Sequence, residues 1–157
     1  MANTNTLSVG QQAPDFSLQD ADGRTYSKEG LAGQRFILYF YPKAATPGCT
    51  TEACDFRDNL ASLTAGGFAV LGVSPDSPEE LQSFAADESL TFPLLSDPDS
   101  AVAKAYGSFG EKTIGDRTIE GTLRSTFVVD ESGALQLAEY NVSPDGHVRR
   151  LRETLDV

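Results

Sequence analysis

The apolar positions of this chain change their period along its length, and these changes predict alternating strands and helices. Residues 35–41, RFILYFY, form a nearly continuous apolar run rich in aromatic and β-branched side chains, which is typical of a strand covered on both faces. Residues 68–73, FAVLGV, have the same character. Further strands are expected over residues 92–95 and 125–130, and residues 134–140 are expected to pair with the latter as a hairpin.

Apolar residues spaced by three or four predict the helices between these strands. The first helix follows Gly48 and ends near Gly66. The second has Ser77 in the position of an N-cap and Pro78 as its first helical residue, which together form a helix start signal. The remaining helices are expected over residues 99–106 and 144–155.

Strands that alternate with helices of this length predict an α/β fold with parallel βαβ units. Residues 16–18 and 24–26 flank an Asp-Gly pair, which predicts an N-terminal β-hairpin. The late hairpin adds antiparallel pairing, so the central sheet is expected to be mixed and flanked by helices, in the order of a thioredoxin-like sheet with extra elements. The sequence shows no internal repeat or long linker, and residues 1–157 are expected to form a single domain.

The charge of the chain excludes several classes of partner. A formal net charge of -11 and a pI near 4.4 repel phosphate backbones and anionic lipids, so no nucleic acid and no membrane partner is expected. No apolar stretch is long enough to span a bilayer, and the first residues lack the pattern of a secretory signal, so a cytoplasmic location is expected. In a reducing compartment two close cysteines indicate catalysis or metal binding rather than a disulfide scaffold.

The two cysteines of the chain, Cys49 and Cys54, lie at the start of the first predicted helix. Cys49 falls in the first turn, where unpaired backbone N–H groups and the helix dipole stabilise an anion such as a thiolate. Because the thiolate is the nucleophilic form of cysteine, Cys49 is the better candidate nucleophile. Cys54 shares a helix face with apolar positions, and simple packing as a small apolar residue is the alternative for it.

Ideal helix geometry separates these two thiols. Five residues along a helix correspond to a Cα separation of roughly 8.6 Å, whereas a disulfide requires Cα atoms within about 7 Å. A reaction between Cys49 and Cys54 would therefore require at least one helical turn to unwind. The spacing also argues against zinc, and the one histidine, His147, is expected to be a solvated or capping residue, so no metal site is expected.

Three residues around Cys49 have properties that suit a reactive thiolate. Pro42 cannot donate a hydrogen bond and its ring can shield a thiolate from water, and Thr46 offers a hydroxyl to the thiolate or to a substrate oxygen. The backbone N–H groups near Gly48 complete an oxygen-sized polar pocket, to which the absence of a side chain allows close approach. Taken singly, Pro42 is equally explained as a strand terminator and Thr46 as a turn residue.

The segment YPKAATPGCTTEACDFRD, residues 41–58, resembles the active-site segment of the peroxiredoxins. The similarity is to the bacterioferritin comigratory protein branch, also called peroxiredoxin Q. It extends over nearly the whole chain, because counterparts in family sequences also exist for APDFSLQDADG, VLGVSPDSPEEL, FPLLSDPD, FGEK and TLRSTFVVDESG.

This resemblance implies a thioredoxin-like fold and a thiol peroxidase that reduces hydrogen peroxide or alkyl hydroperoxides without a metal or an organic cofactor. Matched by position, Cys49 is the peroxidatic cysteine and Cys54 is the resolving cysteine. Pro42, Thr46 and Arg124 are the other members of the implied site, with the arginine stabilising the thiolate and the charge on the leaving oxygen. An intramolecular disulfide, recycling by a thioredoxin or glutaredoxin-like protein, and a monomeric chain follow from the same resemblance.

Glu52 lies one turn after Cys49 and is interpreted either as a bidentate partner of an arginine or as a solvated helix charge. The chain departs from the family pattern in having Ala44 and Ala45 where acids are frequent, and Phe109 near a position often occupied by tryptophan. Two other functions remain open on the residues alone, a thioredoxin-type disulfide oxidoreductase and a non-catalytic redox sensor. The first normally uses a Cys-x-x-Cys pair, which the sequence lacks.

Overall fold

A computed structural model describes the protein over residues 6–157, with the backbone alone at residue 114. The strands in chain order are β1 (Ser17–Asp20), β2 (Thr25–Ser27), β3 (Arg35–Phe40), β4 (Phe68–Ser74), β5 (Leu94–Ser96), β6 (Phe109–Ile114), β7 (Arg117–Thr122), β8 (Ser125–Val129) and β9 (Leu135–Glu139). The helices are α1 (Pro47–Ala65), α2 (Pro78–Asp87), α3 (Ala101–Ala105) and α4 (His147–Leu155).

Seven strands form the central sheet, in the order β2-β1-β5-β4-β3-β8-β9. The neighbours β3, β4 and β5 are parallel, and β8, β9, β1 and β2 are attached through antiparallel pairs. The predicted mixed sheet with an N-terminal β-hairpin is therefore confirmed. The predicted central position of the first long apolar strand is also confirmed, because β3 has β4 on one side and β8 on the other.

The continuous apolar run of β3 arises because both faces of the sheet are covered. Phe36, Leu38 and Phe40 belong to one apolar core, and Ile37 and Tyr39 belong to another on the opposite face. The helices α1, α2 and α4 pack on the face of Tyr39, and α3 packs on the face of Phe40. None of the helices within residues 6–157 has the length and apolar character that crossing a membrane requires.

The start of α2 follows the sequence prediction in atomic detail. The Ser77 hydroxyl accepts a hydrogen bond from the Glu80 N–H, and the Glu80 carboxylate accepts one from the Ser77 N–H. Pro78 occupies the first turn, where its missing N–H costs nothing. This reciprocal arrangement is a capping box, which satisfies backbone donors that the helix itself leaves unpaired.

Two helices begin later than the sequence predicts. The helix α3 begins at Ala101 rather than at residue 99, because Ser100 adopts a left-handed φ of 55° and the Asp97 carboxylate accepts the N–H groups at the helix start. The helix α4 begins at His147 rather than at residue 144, after Gly146 with a φ of 71°. In both cases a left-handed residue sets the boundary, and the apolar period does not record it.

The sequence analysis missed the β6–β7 hairpin altogether. Its strands pair only with each other, from Phe109 opposite Thr122 to the turn at Gly115, which has a φ of 64°. Most side chains of β7 are exposed. A strand pair that covers no core shows no alternation of apolar and polar positions, and this alternation is the signal on which strand prediction depends.

The topology brings three chain segments to one edge of the sheet. The parallel strands β3 and β4 both end there, and α1 begins after the loop that follows β3. The antiparallel strand β8 starts at the same edge, because Ser125 lies opposite Phe40 in the ladder. A residue just before β8 therefore faces the start of α1. Crevices outside the carboxyl ends of strands are common ligand sites in α/β proteins.

Candidate active site

The loop from β3 to α1 is fixed by the end of β4. The Ala44 N–H donates to the Asp76 carboxylate at 2.7 Å, and the same carboxylate oxygen accepts from the Ser74 hydroxyl at 2.8 Å. Ala45 adopts a left-handed φ of 65°, which turns the chain into the helix. Asp76 and Ser74 are buried, so this anchor is shielded from water. Sequence reasoning did not identify either residue.

Thr46 is the N-cap of α1 and has an extended backbone. Its hydroxyl donates to the Lys43 carbonyl at 2.7 Å and so closes the loop. The oxygen of that hydroxyl keeps its capacity to accept a hydrogen bond. Pro42, at the beginning of this loop, is half-buried.

Cys49 lies in the first turn of α1 and is 1% exposed. The first backbone bond of the helix runs from the Thr50 N–H to the Thr46 carbonyl at 2.8 Å, so the N–H groups of Gly48 and Cys49 come before the helical ladder. These groups and the positive end of the helix dipole favour an anion at Cys49. The expected position of Cys49 at the helix start is therefore observed.

Arg124 connects Cys49 to Glu52. Its Nη2 donates to Cys49 Sγ at 3.2 Å, and its Nη1 donates to Glu52 Oε1 at 2.7 Å. Spacing in the sequence gave no reason to select Arg124, and only the family resemblance brought it in. The antiparallel register of β8 is the physical reason that it reaches the start of α1.

Glu52 is fully buried, so its interpretation as a solvated helix charge is wrong. Its pairing with Arg124 uses Oε1 alone, and Oε2 has no hydrogen-bond partner, so the expected bidentate pair is also wrong. Burial raises the pKa of Glu52 to about 7, although the charge of Arg124 and its hydrogen bond act in the opposite direction. The carboxyl group therefore changes its charge near neutral pH.

The segment that carries Arg124 is held on several sides. The Leu123 N–H donates to the Ser108 carbonyl at 2.7 Å, and the Arg124 carbonyl accepts from the Val142 N–H at 2.9 Å. Lys112, on β6, donates to the Thr122 carbonyl at 2.9 Å. The Lys112 pKa is lowered by burial and then by the charge of Arg124, which shows that the missed hairpin places a second cation in the field of the site.

Gly48 is packed too closely to carry a side chain. A Cβ atom there would lie 3.2 Å from Arg124 Nη2 and 3.3 Å from Pro144 Cγ. The absence of a side chain is thus needed for the approach of the guanidinium, in addition to that of a substrate. The Pro144 contact was not foreseen, because nothing in the sequence relates the segment before α4 to the start of α1.

Below the thiol, the site has an aromatic floor. Tyr39 stacks on Phe56 of α1 with ring centroids 4.5 Å apart and on Tyr41 with centroids 5.4 Å apart. The Tyr39 and Tyr41 hydroxyls are buried without a hydrogen-bond partner. Burial raises the pKa of Tyr39 well above its ordinary value, so its phenol stays neutral beside Cys49. The apolar surroundings strengthen the electrostatic interactions of the site.

Cys54 is half-buried on the same uninterrupted helix as Cys49, and both thiols are free. Its Sγ donates to Glu88 Oε1 at 3.3 Å. Burial, and then this hydrogen bond, raise the Cys54 pKa. The separation expected from helix geometry is therefore present, and the thiol is engaged by a residue that sequence reasoning did not identify.

His147 is buried, so the expectation of a solvated histidine is wrong. Its Nε2 lies 2.8 Å from the Thr126 hydroxyl on β8, and its ring stands edge-on to Phe56 with centroids 6.2 Å apart. Burial lowers its pKa to about 4. Within residues 6–157 no three His, Cys, Asp or Glu side chains form a group that could hold a metal ion.

Comparison with known proteins gives the family of the chain. The AhpC/TSA family model matches residues 9–138. The peroxiredoxin Bcp of Escherichia coli is 46% identical over 132 residues, which cover 84% of this chain and 85% of the relative. The chain belongs to the AhpC/TSA family and is a peroxiredoxin. A relative from Mycobacterium tuberculosis shares 53% identity with this peroxiredoxin over 157 residues, the whole of both chains.

A solved structure supports the same assignment. The bacterioferritin comigratory protein of Xanthomonas campestris, studied for alkyl peroxide reduction, has a TM-score of 0.87 and 33% identity, covering 95% of this chain and 98% of its own. The implied membership of the peroxiredoxin Q branch and the thioredoxin-like fold are thereby confirmed. This peroxiredoxin is a thiol peroxidase whose chemistry depends on cysteine.

Proposed function

We propose that this peroxiredoxin reduces hydrogen peroxide and alkyl hydroperoxides with Cys49 as the peroxidatic cysteine. The observation that carries the proposal is the 3.2 Å contact from Arg124 Nη2 to Cys49 Sγ at the start of α1. This contact supplies a permanent positive charge to a thiolate that already lies at a helix N-terminus. The alkyl peroxide activity studied in the Xanthomonas campestris relative supports the substrate class.

In the first step the Cys49 thiolate attacks the terminal oxygen of the hydroperoxide. An S–O bond forms, the O–O bond breaks, and the leaving oxygen takes up a proton to give water or an alcohol, while Cys49 becomes a sulfenic acid. Arg124, the Thr46 hydroxyl and the Gly48 N–H hold the two oxygens. They accelerate the reaction because they bind the stretched O–O bond more strongly than the intact peroxide.

The residues around this step act through their neighbours. Glu52 holds the guanidinium of Arg124 in place through the 2.7 Å hydrogen bond. Pro42 limits the access of water to the thiolate and offers no competing donor. These two residues are positioning residues, because neither is placed against the reacting oxygen.

Cys54 is proposed as the resolving cysteine. After the first turn of α1 unwinds, the Cys54 thiolate attacks the Cys49 sulfenic sulfur, an S–S bond forms, and the hydroxyl leaves as water after taking up a proton. The supporting observation is that Cys49 and Cys54 are the cysteines of the chain and lie on one continuous helix, which keeps them apart beforehand. Order at the start of α1 therefore separates oxidation from resolution.

A thioredoxin or glutaredoxin-like protein is proposed as the reductant of the Cys49–Cys54 disulfide. Because both half-cystines come from one chain, catalysis does not require a second subunit, and we propose a monomer. A reductant of this type operates in a reducing compartment, which agrees with a cytoplasmic location. Sedimentation of the reduced protein at micromolar concentration is expected to give a mass near 16.8 kDa, and a concentration-independent dimer would contradict the monomer.

Peroxide consumption in the presence of thioredoxin, its reductase and NADPH tests the proposed cycle. Cys49→Ser is expected to abolish consumption while circular dichroism shows an unchanged fold. Cys54→Ser is expected to keep a single oxidation by peroxide and to lose recycling. Full turnover in Cys54→Ser would overturn the resolving role, and turnover in Cys49→Ser would overturn the peroxidatic role. Comparing hydrogen peroxide with bulkier hydroperoxides in single-turnover oxidation defines the substrate preference.

A further inference from the structure

The thiol of Cys54 is hydrogen-bonded to a carboxylate from another helix. Glu88 is the residue immediately after α2, and its Oε1 accepts from Cys54 Sγ at 3.3 Å. The contact joins α1 to the end of α2 over a separation of 34 residues in the chain. The cycle described above assigns no role to Glu88.

The position of Glu88 is fixed by its backbone as well as by its side chain. Arg57, one turn after Cys54, donates from Nη1 to the Glu88 carbonyl at 2.6 Å. The charged groups around the thiol are therefore Arg57 and Asp58 on α1 and Glu88 after α2. Arg57 also pairs with Asp58 at 2.9 Å, which divides its positive charge between two acids.

A thiol that donates to a carboxylate is held in its neutral form. Ionisation of Cys54 would remove the hydrogen bond and place two negative charges 3.3 Å apart. A hydrogen bond to a charged acceptor is also stronger than one to a neutral acceptor, so Glu88 restrains the side chain that has to leave the helix. Both effects lower the concentration of the attacking species, because only the released thiolate reacts with a sulfenic acid.

We propose that Glu88 is a positioning residue that keeps Cys54 a neutral, tethered thiol and thereby delays its attack on oxidised Cys49. The proposal rests on the proposed function, in which Cys54 resolves the Cys49 sulfenic acid. Its consequence is a longer life for that sulfenic acid. During this time a second hydroperoxide can oxidise it to a sulfinic acid, transferring one oxygen and leaving water or an alcohol. Glu88 therefore sets the balance between resolution and over-oxidation.

The isosteric variant Glu88→Gln tests this role, with Asp87→Asn as the matched control. Asp87 is the neighbouring exposed acid, so its loss removes the same charge from the same helix end without touching the thiol. One equivalent of hydrogen peroxide is mixed with each reduced protein, and disulfide formation is followed by acid quench and mass measurement. Ionisation of Cys54 is measured by thiolate absorbance in the Cys49→Ser background.

At neutral pH we expect Glu88→Gln to form the disulfide about three- to tenfold faster than the wild type, as the loss of one charge-assisted hydrogen bond predicts. The pH at which the rate levels off and the pH of Cys54 ionisation should both move downward. At excess peroxide the variant should accumulate less sulfinic acid. Asp87→Asn should match the wild type in all three measurements.

Other outcomes separate this proposal from the proposed function. If the wild type forms no Cys49–Cys54 disulfide, the resolving role fails and this proposal fails with it. If the disulfide forms at the same rate in Glu88→Gln, only the role of Glu88 is overturned. A faster reaction with unchanged ionisation of Cys54 would show a purely structural contact. A slower reaction would mean that Glu88 accepts the proton of the attacking thiol, and this would also overturn the proposal.

Discussion

Arg124 and Gly48 show how closely the residues at the start of α1 depend on one another. The guanidinium contacts both Cys49 Sγ and Glu52, and its Nη2 lies where a Cβ on residue 48 would be 3.2 Å away. Pro144 closes the other side at 3.3 Å from the same Cβ position. Any side chain at residue 48 must therefore displace the cation, the proline ring, or both.

Gly48→Ala is accordingly expected to lower the second-order rate of Cys49 oxidation by about ten- to a hundredfold, less than the full loss of a charge-stabilising donor. Rapid mixing with hydrogen peroxide, monitored by competition with a peroxidase of known rate, measures this constant. Gly30→Ala is the matched control, because its Cβ would meet only the flexible Ser27 hydroxyl at 3.1 Å. Equal rates in Gly48→Ala and the wild type would show that Arg124 does not need its observed position.

At the scale of the residue, the sequence identified chemical types but not their partners. Cys49 at a helix start was foreseen from the helical period that follows Gly48. The burial of Glu52 and of His147 was not foreseen, because a polar residue on a predicted helix is usually solvated. Their burial results from the packing of α1 and α4 on the sheet, which no local pattern encodes.

The helix α1 joins the two proposed roles of the cysteines, because its order brings Cys49 to Arg124 and holds Cys54 away. Its N-cap, Thr46, makes no side-chain bond to the helix N–H groups. Such a bond typically contributes about 1 kcal/mol. The start of α1 therefore lacks one of the stabilising contacts that α2 has in its capping box.

Oxidation with one equivalent of peroxide is expected to speed amide hydrogen exchange over residues 48–54, because the disulfide cannot form on an intact turn. The later turns of α1, which carry the buried Phe56 and Leu63, are expected to keep their protection. Exchange followed by mass spectrometry measures both regions in one experiment. Oxidised Cys54→Ser is the control, because it retains the helix, and fast exchange there would assign the unwinding to the sulfenic acid instead.

At the scale of the element, the covered strands and the capped helix were predicted, and the exposed or left-handed features were not. The strands β3 and β4 were evident because both faces are apolar, and α2 because Ser77 and Glu80 form a local signal. The β6–β7 hairpin gave no such signal, since most side chains of β7 face solvent. It nevertheless brings Lys112 to the carbonyl of Thr122, next to the active-site segment.

Across the whole molecule, two buried titratable groups make stability depend on pH in opposite directions. The Glu52 pKa is raised from 4.5 to about 7, so its contribution to stability is present below 4.5 and is lost as the pH rises through about 7. The His147 pKa is lowered from 6.5 to about 4, so its contribution is present above 6.5 and is lost as the pH falls through about 4. Between these limits the two effects offset one another.

Single variants are expected to reveal the two dependences separately. Relative to the wild type, Glu52→Gln should gain up to about 3 kcal/mol of unfolding free energy as the pH rises from 5 to 8. His147→Gln should gain a similar amount, up to about 3 kcal/mol, as the pH falls from 7 to 4. Urea denaturation of the reduced proteins at several pH values measures these differences, which are independent of any constant offset from a lost contact.

Glu79→Gln, which changes an exposed acid on α2, is the control and should run parallel to the wild type. A Glu52→Gln curve parallel to the wild type would mean that the carboxyl of Glu52 titrates alike in the folded and unfolded chain. The same result for His147→Gln would exclude the burial effect on the imidazole.

By itself, the sequence determined the mixed α/β architecture, the covered strands, and the place of Cys49 at a helix start, because these depend on periodicity and on local backbone chemistry. Through its resemblance to the peroxiredoxins it also indicated the family and the importance of Arg124. Tertiary structure alone decided the pairing of Arg124 with Glu52, the contact of Pro144 with Gly48, and the engagement of Cys54 by Glu88. Each joins segments far apart in the chain, and strand register and helix packing set such distances.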